Sequence, residues 1–333
     1  MSAWNYTAPW WLPGGNLQTI WAAVRARRFD GVQPEFRRER WTTPDHDFID
    51  VDWLADERKE ALSDGKAAGQ PLIVVFHGLE GSSSSHYSEA LADAARQRGW
   101  ACAVPHFRGC SGELNHAPRA YHSGDFEEID WILQRFSAQH HGPLLAVGIS
   151  LGGNALMRWA GEFGSAANAL VLAIASVCSP LDLAASGWAI GRGFNRLVYT
   201  RMFLRSMVPK ALEKLGQHPG LYSRKALLAA RNLYEFDNVV TAPIHGFKNT
   251  EDYWLRASSK PHMNSIGVPA LALNAINDPF VPSWSLPKPG EVSPSVTLWQ
   301  PQEGGHVGFP SAPFPGHVRA MPEAVAEFFT AHL

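Results

Sequence analysis

The sequence feature that most constrains the fold is a regular alternation of short apolar runs with segments of helical periodicity. Segments 86–99 and 124–139 have apolar residues at helical spacing and lie between apolar runs short enough to be strands. Strands that are apolar throughout are typical of a parallel sheet covered by helices on both faces. The alternation therefore predicts a doubly wound α/β domain with a mostly parallel sheet. The strand-like runs are 71–78, 100–107, 144–150, 168–177, 269–277 and 295–301.

One interval departs from this alternation. About 90 residues separate the runs 168–177 and 269–277, far more than a single crossover connection needs. Helical stretches punctuated by glycine and proline fill the interval, so we expect an inserted helical cap over residues 180–262. The rest of the 333 residues is expected to form one domain around the sheet.

The first 35 residues do not follow the alternation either. They contain prolines, glycines and four tryptophans, and this composition predicts an irregular arm, residues 1–35, that buries aromatic rings against the domain. The tryptophans are Trp4, Trp10, Trp11 and Trp21.

Composition argues against several classes of protein. The formal net charge is −2 and no block of like charges occurs, so we expect no nucleic-acid partner. Cys102, Cys110 and Cys178 are odd in number and lack CxxC spacing, which indicates neither a disulfide framework nor a zinc ribbon and favours a reducing cytoplasm. No segment has the pattern of a signal peptide or the roughly 18 apolar residues of a membrane span. We therefore expect neither secretion nor stable membrane insertion, and the sequence leaves the oligomeric state open.

The motif Gly148-Ile149-Ser150-Leu151-Gly152 closes an apolar strand and opens a helical segment. A G-x-S-x-G match is weak by itself, but in this context it predicts the strained turn that exposes a nucleophilic serine at the edge of a sheet. The alternative is a serine that only occupies a tight turn. The sequence therefore makes Ser150 the candidate nucleophile.

A serine nucleophile needs a base within hydrogen-bond reach and an acid that orients the base. In this architecture the acid and the base are expected after later strands, in the order Ser, Asp, His. Asp278 follows the run 269–277, and His306 lies in a Gly-Gly-His loop beyond the last run. Asp278 could instead cap a turn before proline. Weaker alternatives are Asp182 and Asp252 for the acid and His317 for the base.

Attack on a carbonyl also requires two donors for the oxyanion. We expect one to be the backbone N–H of Leu151, at the start of the helix. The second is expected from Leu79 in the loop His77-Gly78-Leu79-Glu80-Gly81. That loop could also be a plain glycine-rich turn, whereas a phosphate site is disfavoured because no Gly-Lys-Ser/Thr follows.

The segment RGCSG offers a second serine and a cysteine. Ser111 lacks the strand-serine-helix context and is expected to shape a pocket wall, and Cys110 has no base assigned to it. Neither is predicted to be a nucleophile.

Several motifs together resemble the YheT-like group of α/β-hydrolases. They are PWWLPGGNLQTI, FHGLEGSSSSHY, PHFRGCSGELN, GISLGGNALMRW, NAINDPF and EGGHVGF, and they span nearly the whole chain. The resemblance implies an α/β-hydrolase fold and esterase or phospholipase activity. It also implies Ser150 as nucleophile, Asp278 as acid and His306 as base, with Leu79 and Leu151 as oxyanion donors. One departure is Gly15-Asn16, where relatives often have His before Leu-Gln-Thr, so a role of that position in the pocket is in doubt.

The predicted cap is basic between residues 192 and 231. It contains Arg192, Arg196, Arg201, Arg205, Lys210, Lys214, Arg224, Lys225 and Arg231, against the single acid Glu213. These cations could attract anionic head groups or a carboxylate-bearing substrate, or they could be solvated surface charge. At about 100° per residue Arg192 and Arg196 fall opposite Arg201 and Arg205, which favours the solvated alternative. Apolar residues such as Phe194 and Leu197 are expected in the cap core or the pocket lining.

These features favour a serine hydrolase that cleaves carboxylic esters of short to medium chain length through an acyl-enzyme. The expected substrate is therefore a small molecule. No metal or organic cofactor is expected. Acyl transfer to an alcohol through the same intermediate is the main alternative, and sequence does not separate the two. A non-catalytic binding protein is disfavoured because the nucleophile, acid, base and oxyanion loop are all present.

Overall fold

The computed structural model describes residues 5–55, 69–311 and 313–333, and eight strands of these residues form one sheet. Each predicted run contains a strand, although β6 begins only at Ala173 because Gly164–Ala169 form a 3₁₀ helix. The strands are β1 (Phe36–Thr42), β2 (Phe48–Leu54), β3 (Leu72–Phe76), β4 (Ala101–Pro105), β5 (Leu144–Ile149), β6 (Ala173–Val177), β7 (Ala270–Leu273) and β8 (Val296–Trp299).

The spatial order of the strands is β1-β2-β4-β3-β5-β6-β7-β8. β2 pairs antiparallel with β1 and β4, whereas every pairing from β4 to β8 is parallel. The mostly parallel sheet predicted from the sequence is confirmed. The order reverses between β3 and β5, and in such sheets ligands bind beyond the carboxyl ends of the strands at this switch point.

The described residues form nine α-helices of six or more residues. They are α1 (Gly15–Val24), α2 (His86–Gln97), α3 (Phe126–Gln139), α4 (Leu151–Phe163), α5 (Leu183–Ile190), α6 (Arg201–Gln217), α7 (Arg224–Ala229), α8 (Thr250–Ala257) and α9 (Ala320–Thr330). No helix of the described residues is both long and apolar enough to cross a membrane.

Alternate residues of each central strand feed two separate cores. In β3, Leu72, Val74 and Phe76 pack in a cluster with residues of α3 and α4, whereas Ile73 and Val75 pack in a cluster with residues of α2 and α9. Successive side chains of a strand point to opposite faces, so a run of five apolar residues fills both cores at once. This explains why the strand-like runs lack polar alternation.

The chain between β6 and β7 contains a series of helices from Leu183 to Ser265, separated by short turns, and has small apolar clusters of its own. One cluster joins α5 and α8 through Leu183 and Trp254, and another joins α6 and α7 through Ala211 and Leu227. We call residues 178–269 the β6–β7 segment.

The N-terminal region packs its aromatic rings only in part. The rings of Trp11 and Trp21 lie edge to face with centroids 5.4 Å apart, and Trp11 also contacts Phe314. Trp10 is exposed, so the expectation that the tryptophans of the arm are buried is wrong for this residue. Trp4 lies outside the described residues.

Candidate active site

Ser150 lies at a strained turn between β5 and α4. Its backbone has φ 52° and ψ −116°, a combination that L-residues rarely adopt. A Cβ added to Gly148 would lie 2.4 Å from the Cα of Gly153. A Cβ on Gly152 would lie 2.4 Å from the carbonyl oxygen of Phe76. Only glycine fits these two positions, and the turn presents the serine at the carboxyl end of the sheet, beside the switch point.

Ser150, His306 and Asp278 form one hydrogen-bonded chain. The Ser150 Oγ is 3.0 Å from His306 Nε2, and His306 Nδ1 is 2.9 Å from Asp278 Oδ2. The Asp278 side chain is fully buried, and its other oxygen accepts from the backbone N–H groups of Phe280 (2.7 Å) and Val281 (3.3 Å). Because a carboxylate only accepts, these partners favour the tautomer with the proton on Nδ1 and a free Nε2 facing the serine hydroxyl.

The backbone of the His306 loop is held by the N-terminal helix. The N–H of His306 donates to Thr19 Oγ1 at 2.8 Å. Thr19 is buried, and its hydroxyl donates in turn to the carbonyl oxygen of Gly15 at 2.7 Å. On the other side, the Phe280 ring packs against the imidazole with centroids 4.1 Å apart. The imidazole is therefore fixed from the backbone and from one ring face.

Gln18 connects the acid loop with the base loop. Its Oε1 accepts from the Gly304 N–H and from the Asn277 side-chain amide, both at 2.9 Å. Asn277 Oδ1 accepts from the Gly305 N–H at 2.9 Å, and Gln18 is completely buried. The sequence analysis missed Gln18 and Thr19 as site residues. The available signal was the Gln-Thr pair within the motif PWWLPGGNLQTI, which resembles the family.

The residues predicted to supply the oxyanion donors lie next to Ser150. A Cβ on Gly78 would be 3.3 Å from the Ser150 Cβ, so the loop after β3 passes directly beside the serine. Leu79 follows Gly78, and Leu151 is the first residue of α4. Within the described chain, neither the Leu79 N–H nor the Leu151 N–H donates to a protein acceptor. Both residues line the same cavity as Ser150 and His306.

Two tyrosines hold the loop around Leu79. The Gly78 N–H donates to Tyr87 Oη and the Glu80 N–H donates to Tyr121 Oη, each at 3.0 Å. The Glu80 carboxylate accepts from Tyr121 Oη at 2.9 Å and forms a 2.9 Å ion pair with Lys210 of α6. Leu79 is thus fixed on both sides, and its loop is linked to the β6–β7 segment.

Residues 71–313 match the family described as the alpha/beta hydrolase fold. The chain belongs to this family. Over 274 residues it is 39% identical to YheT of Escherichia coli (strain K12), whose name gives esterase as its expected activity. That alignment covers 81% of this chain and 78% of YheT. The resemblance to the YheT-like group is confirmed.

A more distant relative and a solved structure agree with this family. The chain is 29% identical over 305 residues to the medium-chain fatty acid ethyl ester synthase/esterase 2 of Saccharomyces cerevisiae, covering 84% of this chain and 65% of that protein. The Pyrococcus furiosus esterase Pf2001 superimposes with a TM-score of 0.56 at 14% identity, covering 92% of this chain and 98% of Pf2001. This structural likeness concerns the α/β-hydrolase fold alone.

In this α/β-hydrolase, Ser150 and His306 line a cavity that opens to solvent. Most of the lining is apolar and comes from the β6–β7 segment and the loop after β7. Examples are Ile190, Phe203, Met207, Leu233, Phe280 and Val281. Such a lining suits an apolar group next to the serine.

Two of the charged side chains of the cavity wall, Asp237 and Lys214, are bonded to protein groups in addition to the paired Glu80 and Lys210. Burial raises the pKa of Asp237 to about 6, and its carboxylate accepts from Thr241 Oγ1 at 2.7 Å and Trp254 Nε1 at 3.0 Å. Burial lowers the pKa of Lys214 to about 8, and its ammonium donates to the carbonyl oxygens of Asn115 and Ala117. The wall therefore favours apolar contacts over new ion pairs.

The only described set of side chains with the proximity of a metal site is Cys178, Asp278 and His306, whose donor atoms lie within 4.8 Å of one another. Burial raises the pKa of the Cys178 thiol well above its usual range, and Sγ points to the Gly305 carbonyl oxygen at 3.6 Å. A protonated thiol is a poor metal ligand. The hydrogen bonds of Asp278 and His306 suit proton transfer better than coordination.

The weaker candidates for acid and base occupy other positions in the α/β-hydrolase. Asp182 caps the N-terminus of α5 by accepting from the Ala185 N–H at 3.0 Å. Asp252 is bonded to the Lys248 N–H at 3.0 Å, and His317 Nδ1 faces the Arg319 N–H at 3.4 Å. None of the three alternatives lines the cavity of Ser150.

Cys110 and Ser111 of the RGCSG segment lie outside the cavity lining, whereas Arg108 and Gly109 of the same segment belong to it. Ser111 donates to Asp50 Oδ2 at 2.7 Å, so the expectation that it shapes the pocket wall is wrong. Burial raises the pKa of the Cys110 thiol to about 12, which makes it a poor nucleophile.

Proposed function

We propose that this α/β-hydrolase is a serine esterase that cleaves carboxylic esters through an acyl-enzyme on Ser150. The observation that carries the proposal is the hydrogen-bonded chain from Ser150 through His306 to buried Asp278, at the wall of an apolar cavity. The name of the YheT relative supports the same activity.

In the proposed mechanism the Ser150 Oγ attacks the ester carbonyl carbon while His306 Nε2 accepts the hydroxyl proton. The N–H groups of Leu79 and Leu151 donate to the oxyanion of the tetrahedral intermediate. Asp278 keeps the imidazole oriented and stabilises its positive charge. The intermediate collapses with loss of the alcohol, which takes the proton from His306. Water then repeats the sequence and releases the acid. The scheme uses no metal or organic cofactor.

We propose that the β6–β7 segment is the cap over the substrate and that the acyl chain is of short to medium length. Its residues Ile190, Phe203 and Met207 line the cavity and suit a hydrocarbon chain. We also propose a cytoplasmic location, for which the three unpaired cysteines are the support.

The proposal is tested with a fluorophosphonate probe followed by peptide mass spectrometry. We expect one adduct, on the peptide that contains Ser150, and competition by p-nitrophenyl esters of short and medium chain length. An adduct on another residue, or none on folded protein, would contradict the assignment. Adding ethanol during turnover measures whether the acyl group also passes to an alcohol, an activity that the name of the yeast relative includes.

Replacing Thr19 by valine tests whether the arm positions the base. Valine keeps the shape of threonine but leaves the buried His306 N–H without its 2.8 Å acceptor, a loss of about 1–3 kcal/mol. We expect kcat for p-nitrophenyl butyrate to fall roughly ten- to a hundredfold with little change in KM. Thr19→Ser retains the hydroxyl and should keep most of the activity. Equal activity of the Val and Ser variants would show that this hydrogen bond does not position His306.

A further inference from the structure

Three segments that are distant in sequence meet on one side of the cavity. Tyr199 Oη donates to Asn16 Oδ1 of α1 at 2.9 Å, and its ring lies 4.5 Å from the ring of Phe280. The side chain of Asn195 donates to the Pro279 carbonyl oxygen at 2.6 Å. The start of α1, residues 192–205 and residues 279–286 therefore form one continuous wall.

The inner side of this wall lines the cavity through Phe203, Phe280 and Val281. Its outer side exposes large apolar side chains. Two of them, Phe194 and Leu197, were expected from the sequence to lie in the cap core or the pocket lining. The exposed fractions are 50% for Leu17, 50% for Phe194, 58% for Leu197, 54% for Met202 and 72% for Trp284. Apolar side chains grouped in this way on a surface mark an interaction site.

The same outer surface carries charge of one sign. Arg192, Arg196, Arg201 and Arg205 are exposed, and none of them forms an ion pair with an acid of the described chain. Residues 15–24, 192–205 and 279–288 contain no Asp or Glu, although the whole chain has a net charge of −2. We call this surface the basic face; its residues are Leu17, Arg192, Phe194, Arg196, Leu197, Arg201, Met202, Arg205 and Trp284.

The helix geometry removes the basis for the expectation that these arginines fall on opposite sides. Arg196–Thr200 form a π-turn, with i→i+5 hydrogen bonds, immediately before α6. Such a turn takes more residues than the about 3.6 per turn of an α-helix, so Arg201 is rotated back toward Arg196. The step of about 100° per residue used in the sequence analysis does not hold across it.

We propose that the basic face docks on an anionic lipid bilayer, with its apolar side chains in the headgroup boundary and its arginines against the lipid phosphates. Arginines mixed with exposed aromatic and aliphatic side chains fit such a surface. A two-fold dimer through this face would bring the arginines of two copies together and is disfavoured. This last step rests on the proposed function: a protein docked through the basic face has its cavity wall close to apolar esters in the bilayer.

The test is co-sedimentation with vesicles of phosphatidylcholine alone or with about one-third phosphatidylglycerol. We expect binding to the anionic vesicles only. Adding salt should abolish this binding, because salt screens the attraction between surface charges. Changing Arg192, Arg196, Arg201 and Arg205 to Gln should lower the partition coefficient for the anionic vesicles by more than about tenfold. The matched control changes four other exposed cations to Gln and should bind nearly as well as the unchanged chain. These cations are Arg37, Arg224, Lys225 and Lys248.

A second variant, Leu197→Ser with Trp284→Ser, should weaken vesicle binding while all arginines are retained. Circular dichroism should give an unchanged thermal midpoint for each variant. The proposal would be overturned if the unchanged chain failed to bind anionic vesicles, or if the control lost as much vesicle binding as the arginine variant. A concentration-dependent dimer that the arginine changes dissociate would also overturn it. Turnover of soluble p-nitrophenyl acetate should be unaffected by the changes, which separates a failure of docking from a failure of the proposed esterase function.

Discussion

Replacing Ser150 by alanine is expected to lower kcat for p-nitrophenyl butyrate by about 10⁴- to 10⁶-fold. The change removes the one oxygen that lies 3.0 Å from His306 Nε2 at the cavity wall. Binding is expected to persist, because the cavity lining and both N–H groups proposed to bind the oxyanion are unchanged. Steady-state kinetics on the purified variant, with the thermal midpoint measured alongside, provides the test.

The matched control is Ser111→Ala, which removes another hydroxyl close to the protein surface. Ser111 donates to Asp50 and does not line the cavity, so its removal should leave turnover within about twofold of the unchanged chain. If Ser150→Ala retained turnover, or Ser111→Ala abolished it on folded protein, the nucleophile would have to be assigned elsewhere.

The fold could be predicted from the sequence because its central strands are buried on both faces. A run such as Leu72–Phe76 supplies side chains to both cores, so its apolar character is continuous and easily recognised. The boundaries were less accurate. Residues 168–172 are apolar enough to continue the strand, yet the 3₁₀ helix Gly164–Ala169 delays β6 to Ala173.

The residues of the candidate site could be chosen because the architecture fixes where each is needed. Ser150, Asp278 and His306 each follow a predicted strand, and parallel strands end at the same edge of a sheet. The side-chain network behind them could not be derived in this way. Gln18 lies more than 250 positions before Asn277 in the sequence, and only the folded chain brings the two amides within 2.9 Å.

The exposed apolar residues were beyond sequence reasoning for a different reason. Phe194 and Leu197 are apolar residues of the kind that usually pack in a helical core. Only tertiary packing decides which side of a helix is buried against the rest of the protein. The π-turn at Arg196–Thr200 then alters the angular spacing of every later residue. Helical periodicity assumes a constant turn, so it fails at such a position.

Replacing Asp278 by asparagine is expected to lower kcat by about 10³- to 10⁴-fold while the protein remains folded. The Asn carbonyl can still accept from the Phe280 N–H, which leaves its NH₂ group facing His306 Nδ1. A donor at that position requires an unprotonated Nδ1 and places the proton on Nε2. The base is then blocked at the atom that must accept the Ser150 proton, so both turnover and fluorophosphonate labelling should slow together.

Asp182→Asn is the matched control for this substitution, because it makes the same chemical change at the N-cap of α5. Asparagine caps a helix about as well as aspartate, so activity and stability should both be preserved. KM for p-nitrophenyl butyrate should change little in Asp278→Asn, since the carboxylate lies behind the imidazole and is not part of the cavity lining. Labelling at the unchanged rate in Asp278→Asn would mean that His306 keeps its reactive tautomer without the acid, and that another group orients the imidazole.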